Sequence, residues 1–430
     1  MIDYIKNLNF SYDDIQYLRS LNLFEEDFIN YLSSWHFTGD IYAVPEGTVV
    51  FPYEPLVKVV APIMEAQLLE AAILNIVNHQ SLIATKASRV VYAAGGGVME
   101  FGLRRAQGPD AGIYGARAAC IAGCVGTSNV LTGQMFDVAV KGTHAHSWVM
   151  SFPDEYTAFK TYAELYPDAC ILLVDTYDTL NSGVPNAIKV FDEMKAKGIK
   201  SKFYGIRLDS GDLAYLSKKA RKMLDDAGYP DAVISASSDL DENLIFSLKS
   251  QGAQITSWGV GTNMITSKDW PSFGGVYKLV AMRDSKTGEF TPKIKVSENI
   301  EKITNPGFKK VVRFFSKENG KALADVIMLH DEPIPDGRPY EIFDPNAVWK
   351  RKVLENYEAK ELLVKIFEKG ELVYDEPDIE TIRETCRTQI DTLWGEMLRF
   401  ENPQIYYVDL SKPLWNLKHD LLNKYGSDNL

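Results

Sequence analysis

The chain contains 430 residues, of which 46% are hydrophobic and 24% are charged, and its formal net charge is −12. This length exceeds the size at which one hydrophobic core normally stops growing, so we expect two or three domains. The acidic balance argues against nucleic acid as the main partner, because binding a phosphate backbone requires a basic surface, although a local basic pocket can still hold a small anion.

The setting that the sequence predicts is the cytoplasm. The four cysteines form no Cys-x-x-Cys pair, and Cys120 and Cys124 lie at helical spacing in an alanine-rich segment, as small core residues do. This usage fits a reducing compartment. The first residues show no signal-peptide pattern and no stretch is apolar for long enough to span a bilayer, so we expect no membrane partner.

The first 90 residues predict a mixed α/β domain. Residues 1–40 have the pattern of amphipathic helices, and residues 46–61 alternate around prolines as strands and turns do. A long buried helix is predicted to begin at Pro62, since proline is favoured in the first helical turn.

From about residue 168 the sequence alternates between strand and helix patterns with short links, for example the strand "KFYGIRLDSGD" and the helix that follows and stops at Gly228. Such alternation requires parallel strands, in either an open doubly wound sheet or a barrel. Polar residues cluster at the carboxyl ends of successive strands, as in a (β/α) barrel, and the Gly-x-Gly-x-x-Gly of a Rossmann sheet is absent. We therefore predict an irregular barrel over residues 91–285.

The last third of the chain carries no motif that indicates chemistry. Residues 286–345 predict strands and turns that return to the first domain. Residues 346–430 are charged and amphipathic, and they predict a mainly helical C-terminal region.

The stretch "GIRLDSGDL" supplies the first candidate site. Side chains alternate along a strand, so Arg207 and Asp209 point to one face while Ile206 and Leu208 point to the other. Burying an arginine and an aspartate is costly unless they pair or serve a function. A structural ion pair is the simpler explanation. The Ser-Gly-Asp that follows, and the helix that begins at once, favour a function, because a helix N-terminus presents free N–H groups to a phosphate.

Two further stretches favour an anion site. "SWGVGTN" places Gly259 and Gly261 before Thr262 at a strand end, where backbone amides can surround a phosphate, although glycine-rich turns are common. "EFGLRRAQGPDAG" contains the adjacent Arg104 and Arg105, which form either a solvated face or a pocket that neutralises pyrophosphate by forked contacts.

Two of the six histidines, His144 and His146, lie within "VKGTHAHSWVMSF". No Cys-x-x-Cys or His-Glu-x-x-His lies nearby, which argues against zinc. If the stretch is a strand, the two side chains share a face, and either could act as an acid, a base or a nucleophile.

In this order the motifs resemble those of nicotinate phosphoribosyltransferases. The resemblance covers about residues 45–330 and rests on "LRRAQGPDAG", "GTSNVLTGQ", "GTHAHSWVMSF", "GIRLDSGDL", "GVGTNMIT" and "GGVYKLV". It implies the type II phosphoribosyltransferase fold, in which an irregular barrel accompanies a discontinuous α/β sandwich domain. It also implies a homodimer with shared active sites.

The resemblance further implies the reaction. Nicotinate, phosphoribosyl pyrophosphate, ATP and water would give nicotinate mononucleotide, pyrophosphate, ADP and phosphate, an entry step into NAD biosynthesis. The histidine that is phosphorylated in the family corresponds to His146, whereas His144 occupies a variable position and is expected to line the pocket or pack. The implied cofactors are ATP and Mg²⁺, with the metal held through substrate phosphates rather than by protein ligands.

Other roles carry over residue by residue. Arg207 and Asp209 match a motif near the base and the ribose phosphate, where the carboxylate would stabilise charge at the anomeric carbon. Arg104 with Mg²⁺ would stabilise the leaving pyrophosphate. Phe101 matches an aromatic residue that stacks on the pyridine ring, and Ser128 matches an aspartate of nicotinamide-using relatives, so a neutral residue there suits an acid substrate. The remaining predicted substrate-binding residues are Asp175, Ser238, Gly259, Gly261 and Thr262.

One feature departs from the family. Before the region that matches residue 1, its members carry further strands and a Thr-Asp-x-Tyr segment whose tyrosine stacks on the base in the neighbouring subunit. Residues 1–40 contain no equivalent, so we expect the N-terminal domain to lack its first strands. Three alternatives stay open: a quinolinate enzyme, which needs a more basic pocket for two carboxylates; a nicotinamide enzyme, which favours an acidic residue at Ser128; and a truncated, non-catalytic binder.

Overall fold

The structure of the chain is a computed structural model that describes residues 1–299 and 302–426. These residues form two compact units. One unit is discontinuous, as the sequence predicts for the first domain, and combines Met1–Val77, Gly274–Pro377 and the residues from Thr385 onward. The other combines Asn78–Phe273 with Asp378–Glu384. We call them the discontinuous unit and the sheet unit.

The helices of the described residues are numbered in chain order. None of them combines the length and the apolar character that crossing a membrane requires. They are α1 (Ile2–Asn7), α2 (Tyr12–Ser20), α3 (Glu26–Ser33), α4 (Ile63–Ala94), α5 (Pro109–Ile121), α6 (Val130–Phe136), α7 (His146–Met150), α8 (Glu155–Leu165), α9 (Val184–Ala196), α10 (Leu213–Asp226), α11 (Glu242–Ser250), α12 (Thr262–Ile265), α13 (Ile379–Asp391) and α14 (Lys412–Gly426).

The strands are numbered in the same way. They are β1 (Asp40–Ala43), β2 (Val57–Val60), β3 (Val98–Glu100), β4 (Cys170–Leu173), β5 (Tyr204–Leu208), β6 (Val233–Ala236), β7 (Ser257–Val260), β8 (Ala281–Arg283), β9 (Phe290–Pro292), β10 (Lys309–Ser316), β11 (Ala322–Leu329), β12 (Tyr340–Asp344), β13 (Ala347–Leu354), β14 (Tyr357–Glu361), β15 (Val364–Glu368), β16 (Glu371–Leu372) and β17 (Val408–Leu410).

The sheet unit is built on five parallel strands in the order β3-β7-β6-β5-β4. Helices α9, α10 and α11 connect β4, β5, β6 and β7 in turn, which confirms the predicted strand–helix alternation. Ile206 and Leu208 of β5 are fully buried, because this face of the strand packs under the connecting helices. Since the strands are parallel, their carboxyl ends meet at one edge of the sheet.

The predicted α/β class is confirmed, and the sheet continues beyond its five strands. Single parallel bridges join Glu100 to Thr127 and Thr127 to Val140 at the β3 edge. At the opposite edge, the N–H of Leu173 in β4 donates to Nε2 of His144 over 3.1 Å. In the part of the chain that the structure describes, backbone ladders do not close a ring, and this side chain makes the link to β4.

The discontinuous unit contains two four-stranded sheets, in the orders β16-β15-β1-β2 and β14-β10-β11-β17. Its first core gathers Ile41, Leu69 and Phe367, each almost fully buried. Helices α2 and α3 pack through Ile15 and Ile29, so residues 1–40 are helical as predicted.

The prediction of a mainly helical region over residues 346–430 is wrong for its first part. Residues 347–372 form β13 to β16, and the helices α13 and α14 follow only later. Positive-φ residues mark the turns, namely Asn356 (φ 50°) between β13 and β14, which belong to different sheets, and Gly370 (φ 85°) in the hairpin of β15 and β16. Such turn positions between short runs with period-2 alternation indicate hairpins, whereas the charge content alone resembles an exposed helix.

Candidate active site

Arg207 is the most extensively bonded of the predicted site residues. It lies in β5, and 17% of its side chain is exposed. Its Nε donates to Ser237 Oγ over 3.0 Å and its Nη2 to Asp209 Oδ1 over 2.9 Å. Its Nη1 donates to Thr143 Oγ1 over 2.7 Å and to the carbonyl of His144 over 3.4 Å. The guanidinium is therefore held by three separate segments at the carboxyl edge of the sheet.

Asp209 is fixed beside Arg207 and remains ionised. Burial raises the pKa of its carboxyl, but the hydrogen bond from Ser237 and the charge of Arg207 outweigh that effect and lower the pKa below its usual value. The Asp209 N–H donates to Asp175 Oδ2 over 2.9 Å, and the same oxygen accepts from Ser210 Oγ over 2.7 Å. Asp175 thus fixes the backbone that carries Asp209.

His146 lies against this carboxylate. It is the first residue of α7, so the stretch is not the strand that the two-residue spacing suggested. The side chain is 38% exposed, and its Nε2 lies 3.5 Å from Asp209 Oδ2. Its Nδ1 lies 3.0 Å from Thr176 Oγ1. A carboxylate at one nitrogen and a hydroxyl at the other hold the ring in one orientation, while part of it stays open to a substrate.

His144 has the opposite environment. It is 7% exposed, and its ring packs edge-on to Tyr162 at a centroid distance of 4.6 Å. Burial disfavours the imidazolium and lowers the pKa of His144 to about 4. Because Nε2 accepts the N–H of Leu173, the neutral ring carries its proton on Nδ1. His144 is therefore a packing residue, and only His146 is placed for chemistry.

Phe101 joins the cluster through the glycines at the end of β7. A Cβ at Gly259 would lie 2.8 Å from Cδ2 of Phe101 and 3.6 Å from Cβ of Ser237, so only glycine lets the ring lie there. A Cβ at Gly261 would lie 3.1 Å from the Phe101 carbonyl oxygen. These glycines give the aromatic ring room beside Ser237; their predicted role in binding phosphate stays a prediction, as does that of Thr262.

Arg104 and Ser128 lie in two separate loops of the sheet unit. Arg104 lies in a 3₁₀ turn, Leu103–Arg105, where it is exposed and pairs with no acidic group among the described residues. Ser128 is half-buried, and its N–H donates to the carbonyl of Glu100 over 3.0 Å. Both side chains are available to a ligand, as the sequence interpretation requires.

The sequence interpretation missed Ser237, Thr143 and Thr176, the hydroxyls that orient Arg207, Asp209 and His146. It selected Ser238, which the structure places one residue further on, exposed and with φ of 95°. A non-glycine residue at such a φ is strained, and strained positions cluster at functional sites. The sequence has several serines at the end of β6, but which of their hydroxyls faces the sheet edge depends on how the backbone turns there.

The described residues contain no cluster of three histidine, cysteine or acidic side chains that could hold a metal ion. The carboxylate of Asp175 accepts the backbone N–H of Asp209 through Oδ2, and its Oδ1 is buried without a hydrogen-bond partner in the described structure. Carboxylate oxygens suit Mg²⁺, which usually binds through one or two of them and substrate phosphates.

Comparison with known proteins bears on what this site does. Models of the nicotinate phosphoribosyltransferase family match residues 1–78 (N-terminal domain), 97–329 (family) and 308–418 (C-terminal domain). A nicotinate phosphoribosyltransferase of Bacillus subtilis (strain 168) is 49% identical over 427 residues, which cover 99% of this chain and 86% of the relative. The chain belongs to the nicotinate phosphoribosyltransferase family. The family matches extend beyond residues 45–330, over which the motifs carried the resemblance.

More distant members support the same assignment. The human nicotinate phosphoribosyltransferase is 32% identical over 437 residues, which cover 89% of this chain and 79% of the relative. A crystal structure of human nicotinic acid phosphoribosyltransferase matches 98% of this chain and 90% of its own with a TM-score of 0.82 and 28% identity. A nicotinate-nucleotide pyrophosphorylase from Pyrococcus furiosus matches 83% of this chain and 81% of its own with a TM-score of 0.64 and 26% identity.

Proposed function

We propose that this chain transfers the phosphoribosyl group of phosphoribosyl pyrophosphate to nicotinate, with ATP hydrolysis coupled through a phosphohistidine at His146. The observation that carries the proposal is the cluster of Arg207, Asp209 and His146 at the carboxyl ends of parallel strands, in a chain of this family. Residues of the motifs "GTHAHSWVMSF" and "GIRLDSGDL" lie together there, at a sheet edge of the kind on which a barrel-type active site is built, and this supports the proposal.

The transfer step makes use of Asp209 and Arg104. The bond from the anomeric carbon to pyrophosphate breaks, the pyridine nitrogen forms the new bond, and positive charge develops at the ribose in between. An ionised carboxylate stabilises that charge, and the lowered pKa of Asp209 keeps it ionised at neutral pH. Arg104, which pairs with no described acidic group, is free to bind the leaving pyrophosphate.

The ATP step assigns a nucleophile to His146. A ring nitrogen attacks the γ-phosphorus, the bond to the ADP oxygen breaks, and ADP leaves with the electron pair; water later cleaves the N–P bond and releases phosphate. The partly exposed ring between Thr176 and Asp209 supports this role. His144 cannot substitute for it, because its Nε2 is bonded inside the protein.

Mg²⁺ would neutralise phosphate charge on ATP and on phosphoribosyl pyrophosphate. Asp175 is the protein carboxylate that would help to hold it, because one of its oxygens is buried with no described partner. We expect the substrate phosphates to supply most of its remaining ligands.

The site favours nicotinate over quinolinate and nicotinamide. Arg207 already makes four hydrogen bonds within the protein, so at most one of its five N–H groups remains, which is too few for a forked contact with a second carboxylate. The neutral Ser128 would not repel a single carboxylate as an aspartate would. Quinolinate would therefore bind poorly, and nicotinamide would meet a neutral hydroxyl at Ser128 instead of a carboxylate acceptor.

We also propose a homodimer. Exposed apolar side chains gather on α5 and α6, where Val130 is 67% exposed and Leu131 and Met135 lie beside it. Tyr114 of α5 meets Phe136 of α6 at 5.9 Å, so the patch is continuous between the helices. Such a patch is typical of an interface. Light scattering after size exclusion should give twice the chain mass, and a monomer at micromolar concentration would contradict this proposal.

The decisive experiment measures product. The purified chain is incubated with nicotinate, phosphoribosyl pyrophosphate and Mg²⁺, with and without ATP, and nicotinate mononucleotide is quantified by chromatography. We expect ATP to stimulate product formation and a His146→Ala variant to lose the stimulation, while His144→Gln retains it. Parallel reactions with nicotinamide and quinolinate test specificity. Absence of product under all conditions would refute the enzyme assignment.

A further inference from the structure

Glu100 is a fully buried carboxylate that none of the steps above employs. It is the last residue of β3 and has no solvent-exposed surface. Its Oε1 accepts the N–H of Gly102, and its Oε2 accepts the hydroxyl of Thr127 over 2.6 Å. Both oxygens are therefore bonded, one to each of two loops.

This carboxylate has no counter-charge. Among the described residues no lysine, arginine or histidine forms an ion pair with Glu100, and burial raises its pKa although the bonds from Thr127 and Gly102 oppose the rise. A buried acid without a cation is unfavourable, and an apolar residue would cost less. The two hydrogen bonds are the observed benefit of keeping it.

The first bond clamps the loop that carries Phe101 and Arg104. Gly102 follows Phe101 and precedes Arg104 by two residues, and a Cβ there would lie 2.5 Å from Cβ of Ile265 and 2.7 Å from Oε1 of Glu100. The turn is therefore pressed between Glu100 on one side and α12 on the other. Its position cannot shift without breaking this contact.

The second bond fixes the loop that carries Ser128. Thr127 Oγ1 accepts the N–H of Asn129 over 3.0 Å, so its proton is directed to Glu100. The N–H of Ser128 donates to the Glu100 carbonyl, and Asn129 accepts the N–H of Thr132 at the start of α6. Glu100 thus bonds to Thr127 through its side chain and to Ser128 through its carbonyl.

We propose that Glu100 is a positioning residue that sets the spacing between the groups that bind the base, Phe101 and Ser128, and the group that binds pyrophosphate, Arg104. The inference deepens the proposed function and rests on it. A carboxylate accepts from both partners, an N–H and a hydroxyl, at the same time. An amide of the same shape accepts at one end only, so the Thr127 hydroxyl would have to turn its proton away and accept through its second lone pair.

The test compares Glu100→Gln with Glu242→Gln. Glu242 is another buried acid of the sheet unit, and its side chain is bonded to Lys86 and Arg89 rather than to any of the proposed site residues. We expect Glu100→Gln to raise the KM for nicotinate about tenfold and to lower the preference for nicotinate over nicotinamide, with a smaller change in kcat. Glu242→Gln should lower the melting temperature and leave the KM for nicotinate and the preference for nicotinate over nicotinamide unchanged.

A second pair of variants, Thr127→Val and Thr127→Ser, keeps the inference testable if Glu100→Gln does not fold. Removing the hydroxyl should reproduce the rise in KM, and serine should restore most of the loss. Calorimetric titration with nicotinate gives the same comparison without turnover. An inactive wild-type chain would refute the proposed function, and the titration would still decide the role of Glu100. Wild-type nicotinate affinity and selectivity in both Glu100→Gln and Thr127→Val would overturn the inference.

Discussion

Two arginine–aspartate ion pairs in this chain have the same side chains but different surroundings and different roles. Arg313 and Asp325 face each other across β10 and β11 and are fully buried, with a bond of 2.6 Å from Nη2 to Oδ2. Tyr406 donates to Asp325 over 2.8 Å and Arg313 donates to Gln389 over 3.0 Å, so the buried pair is closed to ligands. Arg207 lies in β5, Asp209 follows the last residue of that strand, and both remain partly exposed.

The difference lies in what surrounds each pair. The partners of Arg313 and Asp325 come from a tyrosine, a glutamine and a neighbouring acid, Glu54, which holds the pair in a dry interior. The partners of the second pair are small hydroxyl side chains at strand ends, which leave space for a ligand. Burial together with complete hydrogen bonding indicates a structural pair, and partial exposure beside a histidine indicates a functional one.

The largest effect separating the pairs is expected from Asp209→Asn. The substitution keeps the size of the side chain but removes the charge that stabilises the transition state, so kcat should fall by about 100-fold to 1,000-fold. The melting temperature should change little, because the side chain is 31% exposed. Steady-state kinetics and a thermal melt on the same preparation check both. A variant with normal kcat would remove Asp209 from the mechanism.

The converse result is expected from Asp325→Asn. Breaking a buried pair leaves the Arg313 charge uncompensated, so the free energy of unfolding should fall by about 3–5 kcal/mol. The protein that remains folded should keep its kcat, since the pair touches none of the proposed site residues. Urea denaturation gives the stability, and activity per folded molecule gives the control. Loss of kcat without loss of stability would reverse the two assignments.

Glu54 provides a pH test of the buried Arg313–Asp325 pair. Burial and the hydrogen bond to Asp325 raise the pKa of Glu54 to about 10, so the folded protein keeps this acid protonated. The folded state then binds more protons than the unfolded state between about pH 4.5 and 10, and stability falls as pH rises through that window. Glu54→Gln should flatten the decline between pH 6 and pH 9 in denaturant unfolding. An equal slope in both proteins would contradict a protonated Glu54.

The sequence predicted the Arg207–Asp209 pair better than the buried Arg313–Asp325 pair, for a physical reason. Arg207 and Asp209 are two residues apart at the end of one extended segment, so period-2 alternation alone places them on one face. Arg313 and Asp325 meet only through the register of two antiparallel strands, which depends on where the intervening hairpin turns. Hydroxyls such as Ser237 and Thr176 were missed for the same reason, because their contacts depend on loop backbone and not on a repeating pattern.

The two histidines show where this limit lies, and they give the smallest expected effect. Their two-residue spacing predicted a shared face, but the helix that begins at His146 sends His144 inward to β4.

With its pKa lowered to about 4, His144 binds a proton more readily in the unfolded chain, so stability falls as pH drops from 6.5 towards 4. At pH 5 this linkage amounts to about 2 kcal/mol. His144→Gln, whose amide oxygen can still accept from Leu173, should remove most of that loss when melts at pH 7 and pH 5 are compared. If acid weakens both proteins equally, His144 is not the buried neutral residue that its contacts indicate.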